Sequence, residues 1–395
     1  MRQRPRNETP LVVFVTTLVQ ALVTMVVVIP SAIAPEFAKA LGLEPAMIGL
    51  QIGLTYGGAM ILSIISGSIV KRWGALRSSQ IALVLALIGA SLMAIPVLSL
   101  IAIGAFICGL GYALTNPPAS HLLQKIKMEK DRNFIFSIKQ TSVPIGGMAA
   151  GAIAPPIALY CGWQAPLLIS SGIILFTVFL IQPLRQRWDS DRDPRVLIFS
   201  NPLADFAVMW RNTQLRLFAF AAFFYSAMQL SVTTFAVTLL VSDLKFNLIK
   251  AGLVLALMQT GGVAGRLFWG WLADRVKDGS AVLLSIALIS TGAALATSQL
   301  SQDTDQIYIY ILFILFSFAA VGWNGIAMAE ISRLALKGTI SAATGSVLVI
   351  TFAGILFGPP AFTCLFVFMG TYTSTFGVFA LVSALGFLFV LAARY

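Results

Sequence analysis

Gly67-Ser68-Ile69-Val70-Lys71-Arg72-Trp73-Gly74 and Gly270-Trp271-Leu272-Ala273-Asp274-Arg275 are short, basic and alike, and each lies between two long apolar runs. They are 203 residues apart (270 minus 67). Two further pairs keep nearly that spacing: Gln20 and Thr24 match Gln229 and Thr233 at 209 (229 minus 20), and Pro155-Pro156 match Pro359-Pro360 at 204 (359 minus 155). Three near-equal offsets predict two halves made by duplication.

Of the 395 residues 58% are hydrophobic and 10% charged, with a mean hydropathy of +0.91. No soluble core absorbs so much apolar surface, so the chain is predicted to lie in a bilayer. Runs of about 20 residues or a little more cross roughly 30 Å of hydrocarbon as helices. A closed barrel would instead show alternation in ten-residue segments. Twelve helices are expected, over 11–35, 46–70, 77–96, 98–123, 134–160, 164–184, 214–242, 248–273, 280–299, 307–332, 340–368 and 373–393. The predicted fold is all-α and integral to the membrane, in two pseudo-symmetric six-helix bundles, residues 1–184 and 214–395. A cytoplasmic linker, 185–213, joins them. Its charged stretch from Arg185 to Arg195 reads as a solvated tether, and Asn201-Pro202-Leu203-Ala204-Asp205-Phe206 as a candidate amphipathic surface helix.

The formal net charge of +11 raises the question of nucleic acid, but the placement of the charge answers it. With the amino terminus inside, twenty-one of the 26 Lys and Arg fall on the inner face, including Arg2, Arg4, Arg6, Lys125, Lys127, Lys130, Arg132 and Lys337. Only Lys39, Lys245 and Lys250 fall on the outer. This is the positive-inside pattern, with both termini cytoplasmic. The expected location is the inner (plasma) membrane of a bacterium. The first apolar run is full length and lacks a cleavage pattern, so helix 1 itself does the targeting. Cys108, Cys161 and Cys364 form no C-x-x-C pair and read as packing residues, with neither metal nor cofactor expected.

A basic turn of the form G-x-x-x-D-R-x-G-x-x-R between two membrane helices resembles the loop signature of the major facilitator superfamily, found there between helices 2 and 3 and between helices 8 and 9. The second copy keeps Gly270, Asp274 and Arg275; the first keeps Gly67, Arg72, Gly74 and Arg77 but has Lys71 in the aspartate position. The resemblance implies secondary transport, with halves rocking about a midplane site lined by helices 1, 4, 7 and 10.

Ionisable groups deep in a bilayer cost several kcal/mol unless paired or hydrated, so each is a candidate site residue. Arg266 lies eight residues before Asp274, about 12 Å along helix 8. Gln259 is on the same face, and subtracting 203 gives Ser63 and Tyr56 in helix 2. Lys139 begins the second turn of helix 5, followed by Gln140 and Thr141. The resemblance makes helices 5 and 8 neighbours, which would bring Lys139 towards Arg266. Two cations facing one low-dielectric space call for an anion between them, and the guanidinium fork suits a carboxylate. Snorkelling to the surface is the other reading of Lys139. Nitrate carriers of the superfamily use an arginine in helix 8, the position that Arg266 matches, but Ser63 stands where they have a second one. Gln20, Gln229 and Tyr225 on the helix 1 and helix 7 stripes, with Asn116 and Asn324, complete the polar set, either lining the cavity or bonding a neighbouring helix. Glu330, three residues before Arg333, is either a proton carrier or, as in sugar-type facilitators, a latch with Arg333 or Arg275; the latch is preferred. Gly67, Arg72, Gly270, Asp274 and Arg275 join it as gating candidates. His121 is the single histidine, near the cytoplasmic boundary, and holds no metal alone.

No G-x-x-x-x-G-K-[ST] sequence is present, so a nucleotide-driven pump is not expected, and the sparse, separated charges argue against an enzyme. The function expected is gradient-driven transport of a small anion, a carboxylate first, with proton symport ahead of exchange. The alternative is a proton antiporter exporting hydrophobic compounds, to which Pro144-Ile145-Gly146-Gly147 bears a faint likeness. The expected partners are the small-molecule anion and membrane lipid, with no nucleic acid and a monomer as the working expectation.

Overall fold

The computed structural model describes residues 8–124, 138–196, 209–334 and 340–394. The basic residues expected to mark the inner face at 2–6, 125–132 and 337, and the stretch 201–206, lie outside them. Twelve helical spans are long and apolar enough to cross a membrane: α1 Thr9–Ala32, α2 Pro45–Trp73, α3 Ala75–Met93, α4 Leu98–Leu123, α5 Ile138–Cys161, α6 Ala165–Trp188, α7 Thr213–Ser242, α8 Leu248–Val276, α9 Gly279–Thr297, α10 Gln306–Ile331, α11 Ser346–Met369 and α12 Tyr372–Arg394. Among the described residues there is no strand. Large apolar side chains ring the outside, Phe176 and Phe368 among them. In water that belt would be an adhesive patch; in hydrocarbon it is an ordinary surface.

The two halves start their helices differently. In the C-terminal half the residue before the helix supplies its own cap: Asn212 Oδ1 accepts from Leu215 N (3.2 Å), Asn247 Oδ1 from Lys250 N (2.8 Å), Asp278 Oδ1 from Ala281 N (3.0 Å) and Asp305 Oδ1 from Ile307 N (2.8 Å). A side-chain oxygen there satisfies an amide that has no partner within its helix. In the N-terminal half, α3 follows Gly74, which has no side chain to give and a φ of 97°. Its first amides are met from afar, by Asp189: Oδ1 accepts from Leu76 N (2.7 Å) and Oδ2 from Arg77 N (3.0 Å). A Cβ on Gly74 would fall on that carboxylate, so glycine is required twice over.

This contact revises the expectation of a solvated tether. The segment after α6 is docked on the N-terminal half: Trp188 is fully buried, Asp193 N donates to Lys71 O (2.9 Å) and Arg72 Nη1 to Val196 O (3.1 Å). The physical reason is the unsatisfied start of α3, which draws in the nearest carboxylate. Burial raises the Asp189 carboxyl above its ordinary value of 3.8, against the pull of those two amides and of Arg185.

The halves meet along α1–α7, α2–α11 and α5–α8. The tightest approaches are at the end away from the basic turns. A Cβ on Gly49 would stand 2.5 Å from Pro359 O and 2.7 Å from Phe235 Cζ, and one on Gly151 2.8 Å from Gly252 O. Thr363 Oγ1 donates across the same seam to Ala46 O (2.7 Å). Small residues thus allow backbone-to-backbone closure where a hydrophobic driving force between helices is missing. Gly67 and Gly270, grouped by sequence with the gating residues, pack against no neighbour: a Cβ added at either would meet nothing within 4 Å.

Among the described residues α4 and α10 are broken partway along, where the sequence predicts continuity. In α4 the ladder tightens at Leu114 N→Gly111 O and Thr115 N→Tyr112 O (both 3.1 Å) and restarts at Asn116-Pro117-Pro118. The two prolines lack N–H groups and cannot continue the preceding ladder. In α10 no proline is involved. Trp269 Nε1 on α8 donates to Phe318 O (2.9 Å), and Gly322 N turns to Ala319 O (3.0 Å). The helix resumes at Asn324.

Candidate functional site

Lys139 and Arg266 come from opposite halves and share one space. Lys139 is 2% exposed, and its Nζ donates to Asn116 Oδ1 at the restart of α4. It does not snorkel to the surface. Arg266, half-buried on α8, donates Nη1 to Gln140 O (2.8 Å), the carbonyl next to Lys139, while its Nε is buried without a partner. Arg266 thus reaches the backbone of the residue next to Lys139, and among the described residues neither cation forms an ion pair with a carboxylate. Gln140 therefore contributes its backbone carbonyl; its side chain is exposed.

Aromatic groups close one side of this space. Tyr56 is buried edge-on to Tyr112 (5.4 Å between centroids) and tilted against Phe352 (6.3 Å), and Tyr112 is in range of Arg266. Gln259 is buried against Gly147, where a Cβ would stand 2.7 Å from its amide. Ser63, expected on the same stripe, turns back to Met60 O in its own helix (2.7 Å). Pro144-Ile145-Gly146-Gly147 serves as packing surface: Gly146 lies on Ala21 O of α1 and Gly147 on Gln259 of α8.

The duplicated glutamines bond different neighbours. Gln20 is fully buried, accepts from Ser142 Oγ (2.9 Å) and leaves Nε2 unsatisfied. Gln229 Oε1 accepts from Trp323 Nε1 (2.9 Å) and Asn324 Nδ2 (3.2 Å), at the break of α10. Asn116 and Asn324 thus both sit where a broken helix restarts, and both bond a polar side chain from another helix. The restarted segments begin within their spans, so their positive dipole ends lie at the breaks.

Tyr225 is a correction. Its hydroxyl donates to Leu283 O on α9 (2.8 Å) and its ring stacks on Trp323 (5.7 Å), so it belongs to the packing of the C-terminal half. A phenol in an apolar setting takes the nearest free carbonyl. Two residues of the site went unread in the sequence, Tyr112 and Ser142. Both could have been found by helical spacing, one turn from Asn116 and from Lys139.

Of the gating candidates, Glu330 Oε2 accepts from Arg333 Nε (2.9 Å) and Nη2 (2.7 Å) and packs on Gly279. This is the latch partner expected, but the pair lies within α10 and does not bridge the halves in this arrangement. Arg275 lies over the Trp271 ring (5.5 Å) and not on Glu330. Asp274 is exposed. Arg72 is held by Val196 O. His121 Nε2 meets Asp191 Oδ2 (2.8 Å) at the boundary, and among the described residues no group of three or more potential ligands could hold a metal.

Residues 13–359 match the family model of the Major Facilitator Superfamily. The chain is 26% identical over 261 residues to a "Probable hexose phosphate transport protein" of Chlamydia trachomatis, a match covering 58% of this chain and 57% of that protein. It is 25% identical over 274 residues to "Monocarboxylate transporter 13" of Rattus norvegicus, covering 68% and 61%. The chain thus spans little more than half the length of these relatives. In fold it is similar to a peptide transporter solved with sulfate (TM-score 0.77, 14% identity, 97% and 94% coverage) and to the E. coli fucose:proton symporter (TM-score 0.64, 18% identity, 96% and 98% coverage).

Proposed function

The chain belongs to the Major Facilitator Superfamily, and from that premise we propose that it carries a small organic anion, a carboxylate first, across the membrane by alternating access. The observation that supports this reading is the meeting of Lys139 and Arg266 with no carboxylate paired to either among the described residues. Each half contributes one cation, so an anion between them lowers the repulsion and favours closure of the halves around it. The restarted helices α4 and α10 add their dipole ends to the same preference. The names of the two relatives, hexose phosphate and monocarboxylate, are both names of anions, which fits this choice of solute class.

The coupling we favour is proton symport. Moving one negative charge inward against 100 mV costs about 2.3 kcal/mol, and one accompanying proton cancels it. Glu330 is engaged by Arg333, which supports its role as a latch member over that of a proton carrier. The proposed setting is a bacterial inner membrane with both termini in the cytoplasm.

The test is thermal stability of the detergent-purified protein with L-lactate, succinate, glucose 6-phosphate, nitrate and tetraphenylphosphonium, on the wild type and on Arg266→Gln. A ligand at 100 times its Kd adds about 2.7 kcal/mol by mass action. One of the organic anions should stabilise the wild type, and the variant should lose about tenfold or more in affinity, the worth of a charged hydrogen bond. Stabilisation by tetraphenylphosphonium alone, indifferent to Arg266→Gln, would replace this reading with the exporter.

A further inference from the structure

The end of the bundle that carries Glu8 holds a second cationic space, apart from the central one. The turn between α2 and α3, the foot of α6 and the docked segment after it enclose a cleft of about 520 Å³, lined by Arg72, Arg77, Arg185 and Arg192 with Trp73 and Ile81. Among the described residues the acidic groups nearby are engaged. Asp189 is spent on Leu76 N and Arg77 N, with Arg185 Nε 4.0 Å away; Asp191 meets His121, and Asp193 Oδ1 accepts from Arg195 N (2.9 Å). A guanidinium carries five N–H donors. Arg72 gives one to Val196 O and Arg77 one to Gln80 Oε1 (3.4 Å), so among the described residues most of the donors around the cleft are not taken up.

The cleft is not a by-product of duplication. Adding 203 gives Arg72 a counterpart in Arg275 but turns Arg77 into Ser280 and Trp73 into Val276, so the C-terminal turn keeps one of these cations and lacks the other and the indole. Its depth is also defined. It opens where the spans end, at Trp73, Ala75 and Trp188, and Trp73 is 40% exposed beside it. An exposed indole at a span end marks the headgroup level of a bilayer, and clustered basic residues there suit anionic lipid.

We propose that this cleft binds the phosphate group of an anionic membrane phospholipid. The arginine forks bracket the phosphate oxygens, and the chains run past Trp73 and Ile81 into the hydrocarbon. A soluble phosphate shares the charge chemistry but makes no use of those two side chains. The bound headgroup ties the turn at 72–77 to the segment at 185–192, fixing the piece of chain that leads to the second half. This inference is independent of the solute carried.

The experiment is native mass spectrometry of the full-length protein titrated with phosphatidylglycerol, phosphatidylcholine or inorganic phosphate. The variants are Arg77→Gln, Arg192→Gln and, as a control on the equivalent turn of the other half, Lys277→Asn. Phosphatidylglycerol should bind the wild type in preference to phosphatidylcholine. Each arginine variant should bind it about fivefold more weakly, and Lys277→Asn should match the wild type. Equal binding of the two lipids, or no change in the arginine variants, overturns the site. Binding of inorganic phosphate that excludes phosphatidylglycerol overturns the lipid as its source.

Discussion

Gly49→Ala tests the closure of the two halves. A Cβ there meets Thr363 Oγ1, Pro359 O at 2.5 Å and Phe235 Cζ at 2.7 Å. Ordinary contact needs about 1 Å more, and a backbone carbonyl cannot rotate aside, so α2 and α11 must separate. Overpacking of this kind costs about 1–3 kcal/mol. The cost exists only while the halves are closed at this end, so the closed-to-open ratio should fall by about 5- to 150-fold. The assay is double electron–electron resonance between spin labels at Leu98→Cys and Ile307→Cys, exposed positions on the two halves at that end, with the native cysteines replaced by alanine. Gly49→Ala should move the distance distribution towards the longer population. Gly57→Ala is the control: its Cβ meets only Leu356 Cδ1, at 3.3 Å, the movable tip of a flexible side chain. Identical distributions for Gly49→Ala and the wild type, in a protein of unchanged melting temperature, would refute the idea that this seam is specific to one state.

Asp189→Ala should lower stability at neutral pH by about 0.5–2 kcal/mol, the loss of a cap, as measured by thermal unfolding in detergent. Because burial raises the Asp189 carboxyl above 3.8, the folded chain holds that proton more tightly than the unfolded one. The proton-linked part of its contribution is therefore complete below about pH 3.9, fades as pH rises through the raised value and is flat above it, apart from the cap. Asp189→Asn should remove that slope from a plot of melting temperature against pH. Trp269→Phe deletes the donor to Phe318 O and should cost about 0.5–1.5 kcal/mol. Hydrogen exchange should then report slower exchange at Gly322 N if the freed carbonyl takes it back into a regular turn, and unchanged exchange would separate the break from this indole.

The spans were legible because a bilayer demands long apolar runs, and no local preference outweighs that demand. The meeting of Lys139 and Arg266 was legible because charge in hydrocarbon is rare enough to be informative. The break in α10 was not, since the indole that takes one of its carbonyls comes from 49 residues away. Tyr225 shared a helix with Gln229 but turned to α9, as side-chain direction depends on which neighbour offers an acceptor. The docking of the segment after α6 was hidden likewise: a run of alternating charges looks solvated until the amides it serves are known.

The cap on α3 sets an order of events during synthesis. Leu76 and the Asp189 carboxylate that receives its amide are 113 residues apart. At about 5–20 residues per second, translation delivers that carboxylate roughly 6–23 s after α3 has begun to emerge. Through that interval the start of α3 depends on water and lipid headgroups. The N-terminal bundle is therefore finished by residues beyond its last membrane span, and a gene split to express the halves separately should be cut after residue 196, not at 185.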